Sequence, residues 1–66
     1  MKLNERIKEL RLEKELSQIE LAKVLSVTRS TITKWETGDR TPSLQLLIAM
    51  TKIFDCTLGY LVGIED

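Results

Sequence analysis

Four hydroxyl residues, each standing just ahead of a helical pattern of apolar residues, divide this sequence into short segments. They are Ser17, Thr28, Ser43 and Thr57. A serine or threonine at this place caps a helix, because its oxygen accepts a hydrogen bond from a backbone N–H of the first turn. Ser17 is followed three residues later by Glu20, which is the signature of a capping box. The chain is therefore predicted to fold into short, separately capped helices.

The caps and the apolar spacing together predict five helices and no β-strands. The predicted helices cover roughly residues 4–14, 18–25, 29–37, 44–54 and 58–62. Gly38 follows the third helix and suits its C-terminal cap. A chain of 66 residues is too short for a second domain. We therefore expect residues 1–66 to form a single domain, a compact all-α bundle of five helices.

The apolar residues predict which face of each helix is buried. The first helix has an apolar stripe at Leu3, Ile7 and Leu10, and we expect Leu12, Leu46 and Ile53 on outward faces. The remaining core positions are predicted to be Leu21, Ala22, Leu25, Ile32 and Trp35, and in the fourth helix Leu44, Leu47, Ile48, Thr51 and Phe54.

The composition argues against catalysis, metals and membranes. The sequence has no histidine and only one cysteine, Cys56, so histidine-based acid–base chemistry and the common zinc sites are not expected. No apolar stretch approaches the ~20 residues that span a membrane, and the N-terminus lacks an apolar leader. We predict a cytoplasmic protein with no cofactor, metal or small-molecule ligand, and Cys56 as a core residue.

Residues 18–37 have the layout of two short helices joined by a turn. Ala22 stands where the two helices would cross, and a small residue suits such a close approach. The outward face of the second of these helices is polar and net positive. It carries Arg29, Ser30, Thr33 and Lys34, which are suited to contacting base edges in a DNA major groove.

The chain resembles the Cro and phage-repressor class of helix-turn-helix proteins, also called XRE-type. The resemblance lies in residues 6–11, 16–22, 27–36 and 42–44, and it extends over essentially the whole chain. It implies a lambda-repressor-like DNA-binding fold with a central helix-turn-helix. In phage repressors and Cro, the second helix of this motif enters the major groove, and the resemblance implies the same docking geometry here.

The resemblance also implies a role for individual residues. Arg29, Ser30, Thr33 and Lys34 would contact bases, and Arg11 and Glu36 would form a structural ion pair. Phosphate contacts would come from Ser17, Gln18, Thr28 and Arg40. The dimer surface would involve Leu46 and Leu58, and the apolar C-terminal segment adds Val62 and Ile64 as weaker candidates.

The sequence departs from the family at three turns and in the last helix. Family members usually have glycine where Glu15, Ser26 and Asp55 stand. Such turns tend to need a positive φ, which costs a residue with a Cβ about 1 kcal/mol. Gly59 is expected to weaken the last helix, where the family more often has a polar helix former.

These patterns predict sequence-specific binding of double-stranded DNA by a transcriptional regulator, in the simplest case a repressor. It would act as a homodimer, completed on DNA, at a palindromic operator. Ten basic and ten acidic residues give no net charge, so the basic residues must be gathered on one face. The alternative is a protein-interaction module whose functional surface is Leu12, Leu46 and Ile53. An antitoxin that uses the helix-turn-helix scaffold to bind both DNA and a toxin would be a hybrid of the two. An enzyme is not expected.

Overall fold

All five predicted helices are present in the computed structural model, which describes residues 2–65. They are α1 (Leu3–Glu13), α2 (Gln18–Leu25), α3 (Arg29–Thr37), α4 (Leu44–Phe54) and α5 (Leu58–Val62). No strand occurs among these described residues. Only α1 differs from its predicted bounds: it begins and ends one residue earlier than expected. The all-α prediction is confirmed.

Each predicted hydroxyl cap accepts the expected backbone hydrogen bond. The Ser17 Oγ accepts from the Glu20 N–H at 3.0 Å, and the Glu20 carboxylate accepts from the Ser17 N–H at 2.8 Å, which completes the capping box. The other three caps are Thr28, Ser43 and Thr57, with N···O distances of 3.2, 3.3 and 3.1 Å. The caps fix where α2, α3, α4 and α5 begin.

Three helices end in the same left-handed turn at a residue other than glycine. The backbone N–H groups of Leu16, Val27 and Cys56 each donate to a carbonyl five residues earlier, at 3.0, 2.9 and 3.0 Å. This is the long bond of a Schellman motif, which places the residue before each donor in the left-handed region. Those residues are Glu15, Ser26 and Asp55, with φ of 55°, 58° and 54°. The predicted positive φ values are therefore confirmed.

The core draws one or more fully buried side chains from each helix. Ile7, Leu21, Ile32, Met50 and Leu61 are each 0% exposed and come from α1, α2, α3, α4 and α5 in that order. The predicted core of the first three helices is confirmed, with Leu3 partly buried at its edge. This common core sets the helices at fixed orientations.

The predicted buried face of α4 is partly wrong. Leu44 and Ile48 are 61% and 44% exposed, whereas Met50, which the prediction omitted, is fully buried. Leu46 and Ile53 pack against the core rather than facing outward. Because α4 has apolar side chains on nearly every side, its periodicity alone does not identify the side that packs on its neighbours. Leu12 is 55% exposed on α1, as predicted.

Two contacts order the C-terminal segment, one with α1 and the other within the segment itself. The guanidinium of Arg6, only 6% exposed, lies 3.8 Å from the centre of the Tyr60 ring and joins α1 to α5. The Glu65 side chain lies over Gly59 and accepts a hydrogen bond from the Thr57 hydroxyl at 2.8 Å. A Cβ at position 59 would collide with the Glu65 carboxylate, so glycine permits this close approach. None of the described helices is long and apolar enough to cross a membrane.

Candidate nucleic-acid interface

Helices α2 and α3 are held together through buried side chains and a tight turn. Ala22 is 3% exposed and Leu21 and Ile32 are fully buried, so α2 and α3 approach closely as predicted. Trp35, 3% exposed, anchors the same side of α3 in the core. The opposite side of α3 must therefore face solvent.

The four residues predicted to contact bases all lie on that solvent-facing side. Arg29, Ser30, Thr33 and Lys34 are exposed. The only acidic residue within α3 is Glu36, and its side chain is 4% exposed and paired with Arg11. The outward surface of α3 is consequently cationic and rich in hydroxyl groups, although the chain as a whole is neutral.

The loop after α3 brings a third cation, Arg40, to this surface. Gly38 ends α3 with φ of 86°, a conformation that favours glycine, and the chain then turns back. The backbone N–H of Arg40 donates to the carbonyl of Lys34 at 3.2 Å. Lys34 and Arg40 also line one shallow recess, together with Thr41 and Ser43. Lys34 on α3 and Arg40 in the following loop thus form one cationic edge.

The start of α2 provides polar groups suited to an anion. Ser17 and Gln18 lie at this end, where first-turn N–H groups and the helix dipole favour negative charge. The Ser17 hydroxyl accepts a hydrogen bond from the Glu20 N–H. At the start of α3, the Thr28 and Thr31 hydroxyls are 2.9 Å apart.

A buried ion pair connects α1, α2 and α3. Arg11 donates from Nε to Glu36 Oε2 at 2.6 Å and from Nη2 to Glu36 Oε1 at 3.1 Å, so the predicted pair is present and bidentate. Arg11 also donates to the carbonyl of Leu16 at 2.8 Å. The Gln18 amide nitrogen donates to Glu36 Oε1 at 3.1 Å.

Sequence reasoning missed the bonds from Gln18 to Glu36 and from the Asn4 amide to the Glu36 carbonyl, the latter at 3.3 Å. These partners are 18 and 32 residues apart in the chain. No local pattern in the sequence marks such pairs, because they depend on the angles between helices.

The residues predicted for a dimer surface differ in exposure. Leu58 and Ile64 are 37% and 82% exposed, whereas Leu46 and Val62 are partly buried against the core. Leu58 and Ile64 therefore offer the most apolar surface to a partner. Leu46 borders the recess that contains Lys34 and Arg40.

The described residues contain no other constellation with evident chemistry. No group of three or more His, Cys, Asp or Glu within residues 2–65 could hold a metal ion. Cys56 is partly buried against the core, and burial raises the pKa of its thiol. A neutral thiol is the less reactive form of cysteine, which accords with the predicted core role.

A sequence model of the helix-turn-helix family matches residues 7–61. The chain belongs to the Cro/C1-type helix-turn-helix family. Cro/C1-type proteins are DNA-binding transcriptional regulators. Relatives of the chain include the transcriptional activator BcrR of Enterococcus faecalis, 38% identical over the whole chain and 32% of BcrR. Another is the transcriptional regulator DicA of Escherichia coli K12, 32% identical over 97% of the chain and 48% of DicA. The chain thus spans about a third to a half of these curated relatives.

Solved structures of Cro/C1-type domains superpose closely on the chain. The P22 c2 repressor in complex with a synthetic operator matches with a TM-score of 0.87, at 28% identity over 96% of each chain. SinR, a master regulator for biofilm formation solved in complex with DNA, matches with a TM-score of 0.80, at 33% identity over 89% of this chain and 95% of its own. The predicted lambda-repressor-like fold is confirmed.

Proposed function

We propose that this chain binds a specific double-stranded DNA sequence as a homodimeric transcriptional regulator. The observation that carries the proposal is the surface of α3. Its exposed side carries cations and hydroxyl groups, and its one acidic residue is buried in an ion pair. Such a helix fits a major groove, which presents donors, acceptors and thymine methyl groups at its floor. Regulation follows most simply if the bound protein occupies a promoter and represses it.

The exposed polar residues divide into two roles. Arg29, Ser30, Thr33 and Lys34 contact base edges, because they occupy the outward side of α3. The phosphate contacts come from the residues that flank this helix, namely Ser17, Gln18, Thr28 and Arg40. One Gln18 amide hydrogen bonds to Glu36, which leaves the second for a phosphate oxygen.

The deciding experiment is selection of bound sequences from a random DNA pool at about physiological salt. A palindromic consensus is expected, and the absence of any enriched sequence would overturn the proposal. Arg29→Ala and Lys34→Ala should each lower affinity for the consensus by about 1–3 kcal/mol and relax preference at particular base pairs. Lys52→Ala is the matched control, because Lys52 is also exposed but lies on α4.

Salt dependence tests the phosphate contacts separately. Each neutralised phosphate releases counterions, so log affinity should fall linearly with log salt by about 0.9 per contact. Arg40→Ala should make that slope shallower by about 0.9 and weaken all sequences alike. An unchanged slope would remove Arg40 from the phosphate-contacting set.

A further inference from the structure

A line of hydrogen bonds runs from the buried ion pair to an exposed hydroxyl on α3. Arg11 donates twice to the Glu36 carboxylate, and the Gln18 amide nitrogen donates to the same carboxylate at 3.1 Å. At its other end, the Gln18 amide oxygen accepts from the Thr33 hydroxyl at 3.2 Å. Thr33 is exposed, and its side chain is among those proposed to contact bases.

The donor and acceptor in each of these bonds are determined by the ion pair. A carboxylate accepts hydrogen bonds and has none to donate, so Gln18 must present its NH2 group to Glu36. The Gln18 oxygen then faces Thr33, and Thr33 must be the donor. The Thr33 hydroxyl also lies 3.2 Å from the carbonyl of Arg29, a second acceptor for the same proton. A hydroxyl has only one proton, so that proton is committed within the protein.

Thr33 can therefore offer DNA only oxygen lone pairs and a methyl group. In the major groove, cytosine and adenine present an amino group that an oxygen lone pair accepts, and thymine presents a methyl group. Guanine presents two acceptors, N7 and O6, which need a donor. Resting on the proposed DNA binding, we propose that Thr33 excludes guanine from the base it faces. Gln18 and Glu36 are the positioning residues that impose this selectivity.

The test begins with the wild-type consensus and the consensus selected by Thr33→Val. The position at which the two differ is the base that Thr33 faces. Wild-type protein is then titrated with four operators that differ only there. The guanine operator is expected to bind at least about fivefold more weakly than the best of the other three, an effect of the size that direct base contacts produce.

Gln18→Met decides whether Gln18 sets the selectivity. Without the amide oxygen, the Thr33 proton has only the Arg29 carbonyl, which already accepts a helical N–H, and it can turn toward guanine. The guanine penalty should shrink several-fold while preferences at other positions stay unchanged. Gln45→Met is the matched control, since Gln45 is exposed on α4, and it should behave as wild type. Melting temperatures establish that each variant is folded.

Three results would overturn this inference while leaving the proposed function intact. The first is a defined consensus that Thr33→Val does not change, and the second is a wild-type preference for guanine at the Thr33 position. The third is an equal loss of affinity for all four operators in Gln18→Met, which would restrict Gln18 to phosphate.

Thr33→Ser provides a variant at an exposed site, where folding is not at risk. It should keep excluding guanine, and only its affinity for the thymine operator should fall, because serine lacks the methyl group that can contact the thymine methyl. Failure of the wild type to select any sequence would instead count against the proposed function.

Discussion

Glu20 is an exposed carboxylate that forms the capping box with Ser17 at the start of α2. Its hydrogen bond with the Ser17 backbone, and then that with the Ser17 side chain, lower its pKa, and Lys23 adds to this effect. A folded-state pKa below the unfolded value means that the stabilisation is fully present above the unfolded pKa. It is lost as the pH falls through the folded pKa. The capping box should therefore weaken in acid.

NMR titration of the Glu20 side chain tests this coupling. The pKa of Glu20 should lie below the usual value for glutamate, and Ser17→Ala should raise it toward that value. Ser17→Ala should also cost about 1 kcal/mol of stability through loss of the cap. A Glu20 pKa that does not respond to Ser17→Ala would show that the box does not form in solution.

Removing either member of the Arg11–Glu36 pair is expected to destabilise the fold, because the remaining charge would be buried without a partner. The two side chains are 8% and 4% exposed. Arg11→Met should cost about 3–5 kcal/mol, because it leaves a buried carboxylate without its cation. Arg11→Met combined with Glu36→Leu should cost much less than the sum, since apolar residues of similar volume often replace a buried pair at little cost. Urea unfolding of the four proteins in this cycle measures the coupling, and additive losses would contradict it.

At the level of helices and turns, three ends carry avoidable strain. Glu15 and Ser26 adopt left-handed backbone conformations that cost a residue with a Cβ about 1–2 kcal/mol. Glu15→Gly and Ser26→Gly should each relieve this strain and raise the free energy of unfolding. Each kcal/mol of added unfolding free energy should raise the melting temperature by about 4–8 °C. Asp55→Gly should gain less, because aspartate tolerates this region better. Lys8→Gly, within α1, is the control and should destabilise the protein by about 1 kcal/mol. A melting temperature lowered by Ser26→Gly would contradict the proposed strain.

The same helices show what a sequence can predict. The starts of α2, α3, α4 and α5 follow from a hydroxyl cap and the next three residues, and they are predicted correctly. The left-handed residues at the ends of α1, α2 and α4 are expected only from the resemblance, since the family usually has glycine at those positions. The buried side of α4 was partly mispredicted, because Leu44 and Ile48 are as apolar as Met50 and only contact with other helices distinguishes them. The exposed positions on α3 were predicted from periodicity. Contacts between helices, such as Gln18 with Glu36 or Arg6 with Tyr60, depend on crossing angles and were not.

For the whole molecule, the length of α3 limits what one copy can recognise. Its 9 residues span about 14 Å at ~1.5 Å per residue, which reaches only a few base pairs. That is too little to distinguish one site among the ~10⁶ or more competing sites of a genome. Two copies related by a two-fold axis double the contacts and require a palindromic operator with half-sites about 34 Å apart. The demand for specificity therefore supports the proposed homodimer.

The exposed apolar residues of the C-terminal segment are the proposed contact between the two copies. Leu58 and Ile64 combine apolar character with exposure, so Leu58→Glu with Ile64→Glu should place repelling charges at the interface without opening the core. Leu46→Glu would not separate dimerisation from folding, because Leu46 packs against the core. The surface is small relative to the ~1,000 Å² of a stable interface, so the dimer should form mainly on DNA.

DNA titration with full and half operators, together with the melting temperature, measures this effect. The double variant should stay folded, lose its tight binding to the palindrome and bind it no better than a half-site. Leu12→Glu is the control, since Leu12 is 55% exposed on α1, and it should bind the palindrome as wild type does. If the folded double variant bound the palindrome as tightly as wild type, the copies would have to meet through another surface or bind independently. Cross-linking on the palindrome separates those two results, because only a dimer gives a linked pair that disappears on the half-site.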